Sequence, residues 1–406
     1  MRLPLSFAAL FLSVILLQLS SGGVGPLDAI SGITLGFSTA QIGMLGSAHF
    51  VGFFIGCWWS PRLMGSVGHA RAFSAFTALG AIGLLSHMIV IDPYAWAIMR
   101  IATGVCVAGC YTVIEAWLNA EVTNETRGRT MGIYRIADMG ASLAAQLLIG
   151  VLTPAAYVSY NLLALLCCAA LLPMALTTRR QPATPDMPRL RPMLAVHRSP
   201  LAAAGAVVAA LSSASFRMVG PVYGQGVGLA LDQIALFLAA FVAGGALAQY
   251  PVGWLADKFD RRLVLIWLSV AAIGSSLATA TLTELSTTGV MLMAAIFGLT
   301  TFPIYSVSSA HAHDFASSDE RVELSAALMF WFACGAIAAP YLASVLMSLY
   351  GPPALFSMVA VGHAGLVVFG VIRMRARPAA AKTNYVYAPR TSFLIGRLMR
   401  SSREKD

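Results

Sequence analysis

Charge is what this chain has least of: 11% of its 406 residues are Asp, Glu, Lys or Arg, against 58% hydrophobic. A soluble protein must cover its surface with polar groups, and this composition excludes one. The chain also lacks any hydrophilic block long enough for an independent catalytic domain. No Gly-Lys-Ser/Thr phosphate loop is present, which excludes ATP as a direct energy source. Cysteines are few, and Cys57, Cys106, Cys110, Cys167, Cys168 and Cys334 all fall inside apolar runs without CxxC spacing. They read as small core residues rather than disulfides or ligands. Cys106 and Cys110 share a helix face, but no His or third thiol joins them within that run, which argues against a metal.

What the chain has instead is apolar sequence in runs of roughly 20 residues, the length of a transmembrane helix; barrel strands need only about 10 alternating residues. Twelve spans are expected, at about 5 to 27, 40 to 60, 72 to 91, 95 to 119, 130 to 152, 156 to 177, 199 to 222, 231 to 253, 263 to 282, 287 to 311, 322 to 348 and 352 to 373. Met1-Arg2 before an apolar run has the form of a signal peptide, but with so many spans behind it an uncleaved first helix is the better reading.

The net charge of +9 reports topology. Arg62, Arg71, Arg127, Arg129, the 179–198 stretch, Lys258, Arg261, Arg262, Arg321 and an Arg-rich tail lie on one side. The loops around Asp28, Asp92, Thr153, Asp232, Glu284 and Gly351 carry no Lys or Arg. The positive side is expected to be cytoplasmic, with both termini there. The Pro- and Arg-rich interval 178–198 reads as a linker between a six-helix half at 1–177 and another at 199–373, followed by a basic tail at 374–406. The tail has two readings, a short helix on the anionic inner leaflet or plain disorder. A constant offset of 192 residues supports a repeat. It relates Gln41 to Gln233, Pro61 to Gly253, Gly65 to Asp257 and Arg129 to Arg321.

The densest charge lies in Gly253-Trp-Leu-Ala-Asp257-Lys258-Phe-Asp260-Arg261-Arg262, between expected spans 8 and 9. With two six-span halves and a basic linker, this stretch resembles the signature of the major facilitator superfamily. In that superfamily the signature lies between spans 2 and 3 and a weaker copy between spans 8 and 9. Here the first copy is the degraded one, with Pro61 at its Gly position and Gly65 at its Asp position. Pro61-Arg62-Leu63, Val67-Gly68-His69 and Glu115-Ala-Trp117-Leu118-Asn119 resemble the YcaD-like branch of bacterial transporters. Span 5 has no Gly-Pro pair of the kind associated with drug/proton antiporters. The resemblance implies an all-α integral membrane protein of twelve helices in two pseudo-symmetric six-helix halves. It also implies residence in a bacterial inner (plasma) membrane.

Charged residues at membrane depth are costly unless they face a wet cavity or a partner, so Arg100, Glu115, Arg135, Asp138 and Arg217 are the candidate substrate or proton residues. The resemblance implies that spans 1, 4, 7 and 10 line the cavity, which favours Arg100, Glu115 and Arg217. Arg100-x-x-x-Gly104 matches the span-4 Arg signature, linked to proton coupling or substrate binding; capping of neighbouring carbonyls is the other reading. Glu115, Arg135 and Asp138 sit at matching depth, as a structural ion pair or a proton site. Arg217 precedes Gly220-Pro221, where the helix can break and free carbonyls line a cavity; snorkelling is its alternative. Span 10 offers Tyr305 among hydroxyls, with a kink expected at Pro303. His311-x-His313-Asp314 has the look of a ligand cluster, but neighbouring turn residues rarely converge, so no metal is expected.

Asp257 is expected to act as a latch with Gly253, Lys258, Arg261 and Arg262, meeting the start of span 5 near Arg127 and Arg129; a plain topogenic turn is the alternative. At the opposite latch, Asp319, Glu320 and Glu323 crowd the start of span 11. The reading is a secondary transporter that moves a small-molecule substrate by alternating access, with protons as coupling ion and export as direction. It is a monomer in the lipid bilayer, with no nucleic acid, no cofactor, no metal and no catalytic residue. An uncoupled facilitator or importer of a small organic anion, using Arg100 and Arg217, is the alternative. A membrane sensor or membrane-embedded enzyme would need an appended domain or convergent catalytic groups, and neither is visible.

Overall fold

The computed structural model describes residues 7–122, 124–177, 191–281, 286–317 and 320–376, the side chains of 121, 124–129, 322 and 376 excepted. The side chains of Arg127 and Arg129, residues 178–190, Asp319 and the tail beyond 376 therefore lie outside the described residues. The helices are α1 (Ala8–Thr34), α2 (Thr39–Val67), α3 (His69–Ser86), α4 (Pro93–Glu121), α5 (Asn124–Ile149), α6 (Tyr157–Ala169), α7 (Leu171–Ala175), α8 (Pro192–Arg198), α9 (Pro200–Gly226), α10 (Leu231–Lys258), α11 (Arg261–Thr281), α12 (Thr287–Thr301), α13 (Ile304–His313), α14 (Arg321–Tyr350) and α15 (Ala354–Ala376). Among the described residues ten stretches are long and apolar enough to cross a membrane, with α6–α7 and α12–α13 each counting as one. α3 and α5 stand where the other two spans are expected; α3 has 18 residues, and α5 carries Arg135 and Asp138 near its middle.

Two compact units result, one built from residues 7–35 and 48–177, the other from 36–47 and 191–376. The 192-residue offset recurs in their geometry. α1 and α9 begin at Ala8 and Pro200, α2 and α10 at Thr39 and Leu231, α3 and α11 at His69 and Arg261. Gly36 and Gly228 close α1 and α9 with φ of 81° and 84°, a conformation that costs glycine nothing and other residues strain. Gln41 Oε1 then accepts the Ser38 N–H at 2.8 Å, and Gln233 Oε1 accepts that of Ala230 at 3.0 Å. Each satisfies an orphan donor at the start of its helix. A Cβ on Gly52 or Gly104 would overlap the Ile101 or His49 carbonyl, and one on Gly244 or Gly298 the Ala295 or Phe241 carbonyl. The backbones of α2 and α4, and of α10 and α12, touch at these glycines.

Several expected boundaries shift. α1 runs past 27 to Thr34 and contains Asp28, which is therefore in a helix and not in an outer loop. α10 does not stop at Gly253 but carries Asp257 and Lys258 to its end, leaving only Phe259 and Asp260 before α11. The charged residues extend that helix because their partners lie within reach: Lys258 lies 4.8 Å over the Trp254 ring one turn back, and Asp257 is 3.4 Å from Arg261 at the start of α11. α9 is continuous through Gly220-Pro221, so the expected break there is absent; Pro221 lies inside one unbroken helix ending at Gly226. The end of the linker is not a bare tether. α8 docks on the second unit, where the Trp331 Nε1 donates to the Pro192 carbonyl at 3.0 Å and Ala195 packs against Ala202, Leu324 and Leu328.

Candidate functional site

Asp92 fixes the start of α4. Its carboxylate accepts the N–H groups of Tyr94 and Ala95, both at 2.9 Å, and Pro93 occupies the first helical position. Trp96 adds a clamp, its Nε1 donating to the carbonyls of His87 at 2.8 Å and Val90 at 3.0 Å. Two turns into the helix so anchored stands Arg100, which faces a carboxylate that residues at two further helices also reach. Its Nε lies 3.4 Å from Asp28 Oδ2 on α1. The His87 Nε2, at the end of α3, lies 3.4 Å from the same oxygen. The Tyr160 hydroxyl of α6 donates to Asp28 Oδ1 at 2.9 Å. All are sealed from solvent, with Asp28 at 2%, Arg100 at 1% and His87 at 0% exposure. His87 stacks on Tyr160, with centroids 5.1 Å apart and planes 16° apart.

This geometry constrains the protons. His87 Nδ1 lies 2.7 Å from the Gly83 carbonyl oxygen and must donate to it. A neutral His87 would then turn the Nε2 lone pair towards an Asp28 carboxylate oxygen. As placed the two atoms make no hydrogen bond, and Arg100 Nε makes none to the same oxygen, so this is a close polar contact that a shared proton would turn into a hydrogen bond. Two groups able to carry positive charge thus share one carboxylate.

A second polar group lies closer to the other end of α4. The Tyr134 hydroxyl donates to Glu115 Oε1 at 3.0 Å. Arg135 Nη1 lies 3.1 Å from Asp138 Oδ2, and the Tyr111 hydroxyl donates to Asp138 Oδ1 at 2.7 Å while also touching the Gln18 amide. Asp138 is thus a direct partner of Arg135, and Tyr134 bridges the α4/α5 hairpin to Glu115.

The second unit answers differently at the matching positions. Gly220 and Thr279 stand 192 residues beyond Asp28 and His87. Here the core is aromatic: Phe216 stacks on Phe241 at 4.2 Å and lies 5.4 Å from Phe297, which meets Phe356 at 5.3 Å. Arg217 is half-buried with its guanidinium 5.6 Å over the Phe302 ring, and Tyr305 is buried edge-on to Phe332 at 5.3 Å.

At the charged end, Arg261 is buried and pairs with Asp314, donates to the Ala310 carbonyl at 3.2 Å, and lies 3.4 Å from Asp257, whose side chain is 50% exposed. Arg262 pairs with Asp260 at 2.7 Å. Burial raises the Asp260 pKa, but the Arg262 hydrogen bonds and charge outweigh it and hold the carboxyl below its usual value. Asp314 is taken by Arg261 and His313 bonds Ser309 and Ser325, so His311, His313 and Asp314 do not converge. The carboxylates at the start of α14 face the linker end: Glu320 pairs with Arg198 at 2.5 Å and Glu323 with Arg191 at 3.2 Å. Cys167 of α6 brings a third thiol to Cys106, at 3.9 Å, because helix packing joins what the sequence separates. Among the described residues no group fit to hold a metal ion results.

Asp28, His87 and Tyr160 escape a reading of the sequence, because Asp28 follows Pro26 where a span seems to end. The available signal is depth. Arg100 stands seven residues inside α4 and Asp28 six inside the matching end of α1, so an Arg without an acidic neighbour on its own helix had a partner at its own level.

The Major Facilitator Superfamily model matches residues 10–203 and again 202–403, once per half. An uncharacterized MFS-type transporter of Yersinia enterocolitica is 25% identical over 350 residues, 86% of this chain and 89% of the relative. The MFS-type transporter YcaD of Salmonella heidelberg is 28% identical over 331 residues, 79% of this chain and 84% of its own. Among solved structures, the nucleoside transporter NupG superposes with a TM-score of 0.73 at 14% identity, covering 92% of this chain and 99% of its own. A D-xylose-proton symporter gives 0.68 at 13% identity, covering 95% and 99%. The chain is a multi-pass membrane transporter of a small solute, not an enzyme, and belongs to the Major Facilitator Superfamily.

Proposed function

We propose that this transporter is proton-coupled, and that Asp28 and His87 carry the coupling proton while Arg100 balances the charge. The observation behind this reading is the His87 ring, with Nδ1 committed to Gly83 and Nε2 facing Asp28. With the proton present, α1 and α3 are held together through that contact. Without it that tie is lost, and Arg100 and the Tyr160 hydroxyl hold the carboxylate. Protonation thus changes which helices are tied, as a coupling element must. Glu115 and Asp138 provide a second place for a proton nearer the other end of α4. Solute movement follows alternating access of the two halves around a midplane site, with export as its direction. Asp257 acts as the latch, its half-exposed carboxylate biasing the inward-closed state.

The test has two steps. Comparing metabolites of knockout and overexpressing cells identifies the solute, and proteoliposomes under an imposed pH gradient then read the coupling. Gradient-driven accumulation, inverted with the gradient, is the expected result. An uncoupled carrier of a small organic anion, with Arg217 over Phe302 as its anion contact, would give flux indifferent to the gradient.

A further inference from the structure

A second polar site lies in the other unit, unrelated to the proton reading, where α9 and α11 begin and α13 and α15 end. Arg198, Arg262, Arg373 and His311, with Ser199 and Leu201, line a small cleft open to solvent. We propose that this cleft binds a phosphate-type oxyanion, the headgroup phosphate of an anionic membrane lipid or free inorganic phosphate.

Three guanidinium side chains from three different elements line the cleft, two of them with a carboxylate partner and one, Arg373, in excess. Arg198 has Glu320 and Arg262 has Asp260 as partners. Arg373, in the last turn of α15, has no carboxylate within 4.0 Å among the described residues. The cleft as a set is therefore positive. His311 supplies an independent sign of a ligand. It is 7% exposed, faces the cleft, and makes no hydrogen bond among the described residues; an edge-on contact with Phe315 at 5.2 Å holds its ring. Its ring nitrogens are not among the sealed, partnerless atoms, so they are reachable from the cleft and able to donate to a bound oxygen.

The start of α9 adds backbone donors. Pro200 has no N–H, and the Ser199 Oγ accepts that of Ala202 at 3.1 Å, which leaves the Leu201 N–H at a positive helix end. A tetrahedral oxyanion suits this set, since guanidinium groups grip such oxygens two at a time. Bound there, it would tie α8 to α11 and α15.

Full-length protein, delipidated in detergent, is titrated with phosphatidylglycerol and, separately, with inorganic phosphate, reading thermal unfolding and lipid retention by native mass spectrometry. Saturable stabilisation by the lipid alone assigns a headgroup; stabilisation by phosphate alone assigns the free ion; each supports the site. Arg373→Gln and His311→Ala should each weaken the apparent affinity about tenfold, the loss of one charge-assisted or buried hydrogen bond. Arg375→Gln, at an exposed neighbour, should leave it unchanged. Binding equal in Arg373→Gln and wild type, or no stabilisation by either ligand, overturns the proposal.

Discussion

Asp28 accepts from Tyr160 on one oxygen and faces both Arg100 and His87 with the other. Removing such an acceptor leaves a buried guanidinium uncompensated, so Asp28→Ala should cost about 3–5 kcal/mol of stability. Asp28→Asn, which keeps the shape, should cost less, and denaturation in detergent compares the two. A similar cost is expected for Arg261→Met, which strands Asp314. Ala155 tests a smaller effect: it holds φ of 53° next to this cluster while donating its N–H to Ser31 at 2.8 Å. Glycine adopts that conformation without strain, so Ala155→Gly should raise stability by about 1 kcal/mol, measured by the same unfolding assay. Arg100, Glu115 and Asp138 could be singled out in the sequence because charge inside an apolar run announces itself. His87 could not, since only the Gly83 carbonyl and the Asp28 carboxylate give an otherwise ordinary histidine its role.

Helices pack here through missing side chains. Gly52 and Gly104 bring α2 and α4 into backbone contact, and Gly244 and Gly298 repeat the arrangement in α10 and α12. Alanine at Gly52 or Gly244 has nowhere to go but into a carbonyl, and each should destabilise by about 1–3 kcal/mol or prevent folding. Alanine at Gly132 or Gly140, where a Cβ meets open space, is the control. The docking of α8 has a pH signature. The Arg198 hydrogen bond holds the Glu320 carboxyl below its usual value, outweighing a small desolvation effect. A depressed carboxyl contributes its stability above the unfolded pKa of about 4.3 and loses it as pH falls through the lower folded value. Amide protection over 192–198, normalised for intrinsic rates, should therefore fall below about pH 4, and Glu320→Gln should flatten that dependence. Spans were readable because apolar length sets them. Their ends were not, since Asp257, Lys258 and Asp28 are charged residues that a helix keeps when their partners lie within reach.

Across the whole chain the two halves share a frame and differ in content. Capping glutamines, closing glycines and touching backbones recur at one offset, so the repeat was visible from four residue pairs in the sequence. What the offset could not disclose is the asymmetry. The first unit buries a carboxylate, an imidazole and a guanidinium where the second has Gly220, Thr279 and stacked phenylalanines. On the proposed reading the coupling proton belongs to the first half, and the proposed latch at Asp257 in the other half controls access. Asp257→Asn should shift engineered cysteines from outward-accessible towards inward-accessible labelling; an unchanged ratio would remove the latch from the account.

The central claim is that one proton on the Asp28–His87 pair drives the solute. Its most direct measurement is solute accumulation in proteoliposomes under a pH gradient, set beside counterflow exchange without one, for wild type and Asp28→Asn. The account predicts gradient-driven accumulation in wild type, and in Asp28→Asn a loss of that accumulation with exchange retained. Accumulation that persists in Asp28→Asn, or wild-type flux that ignores the gradient, would contradict it.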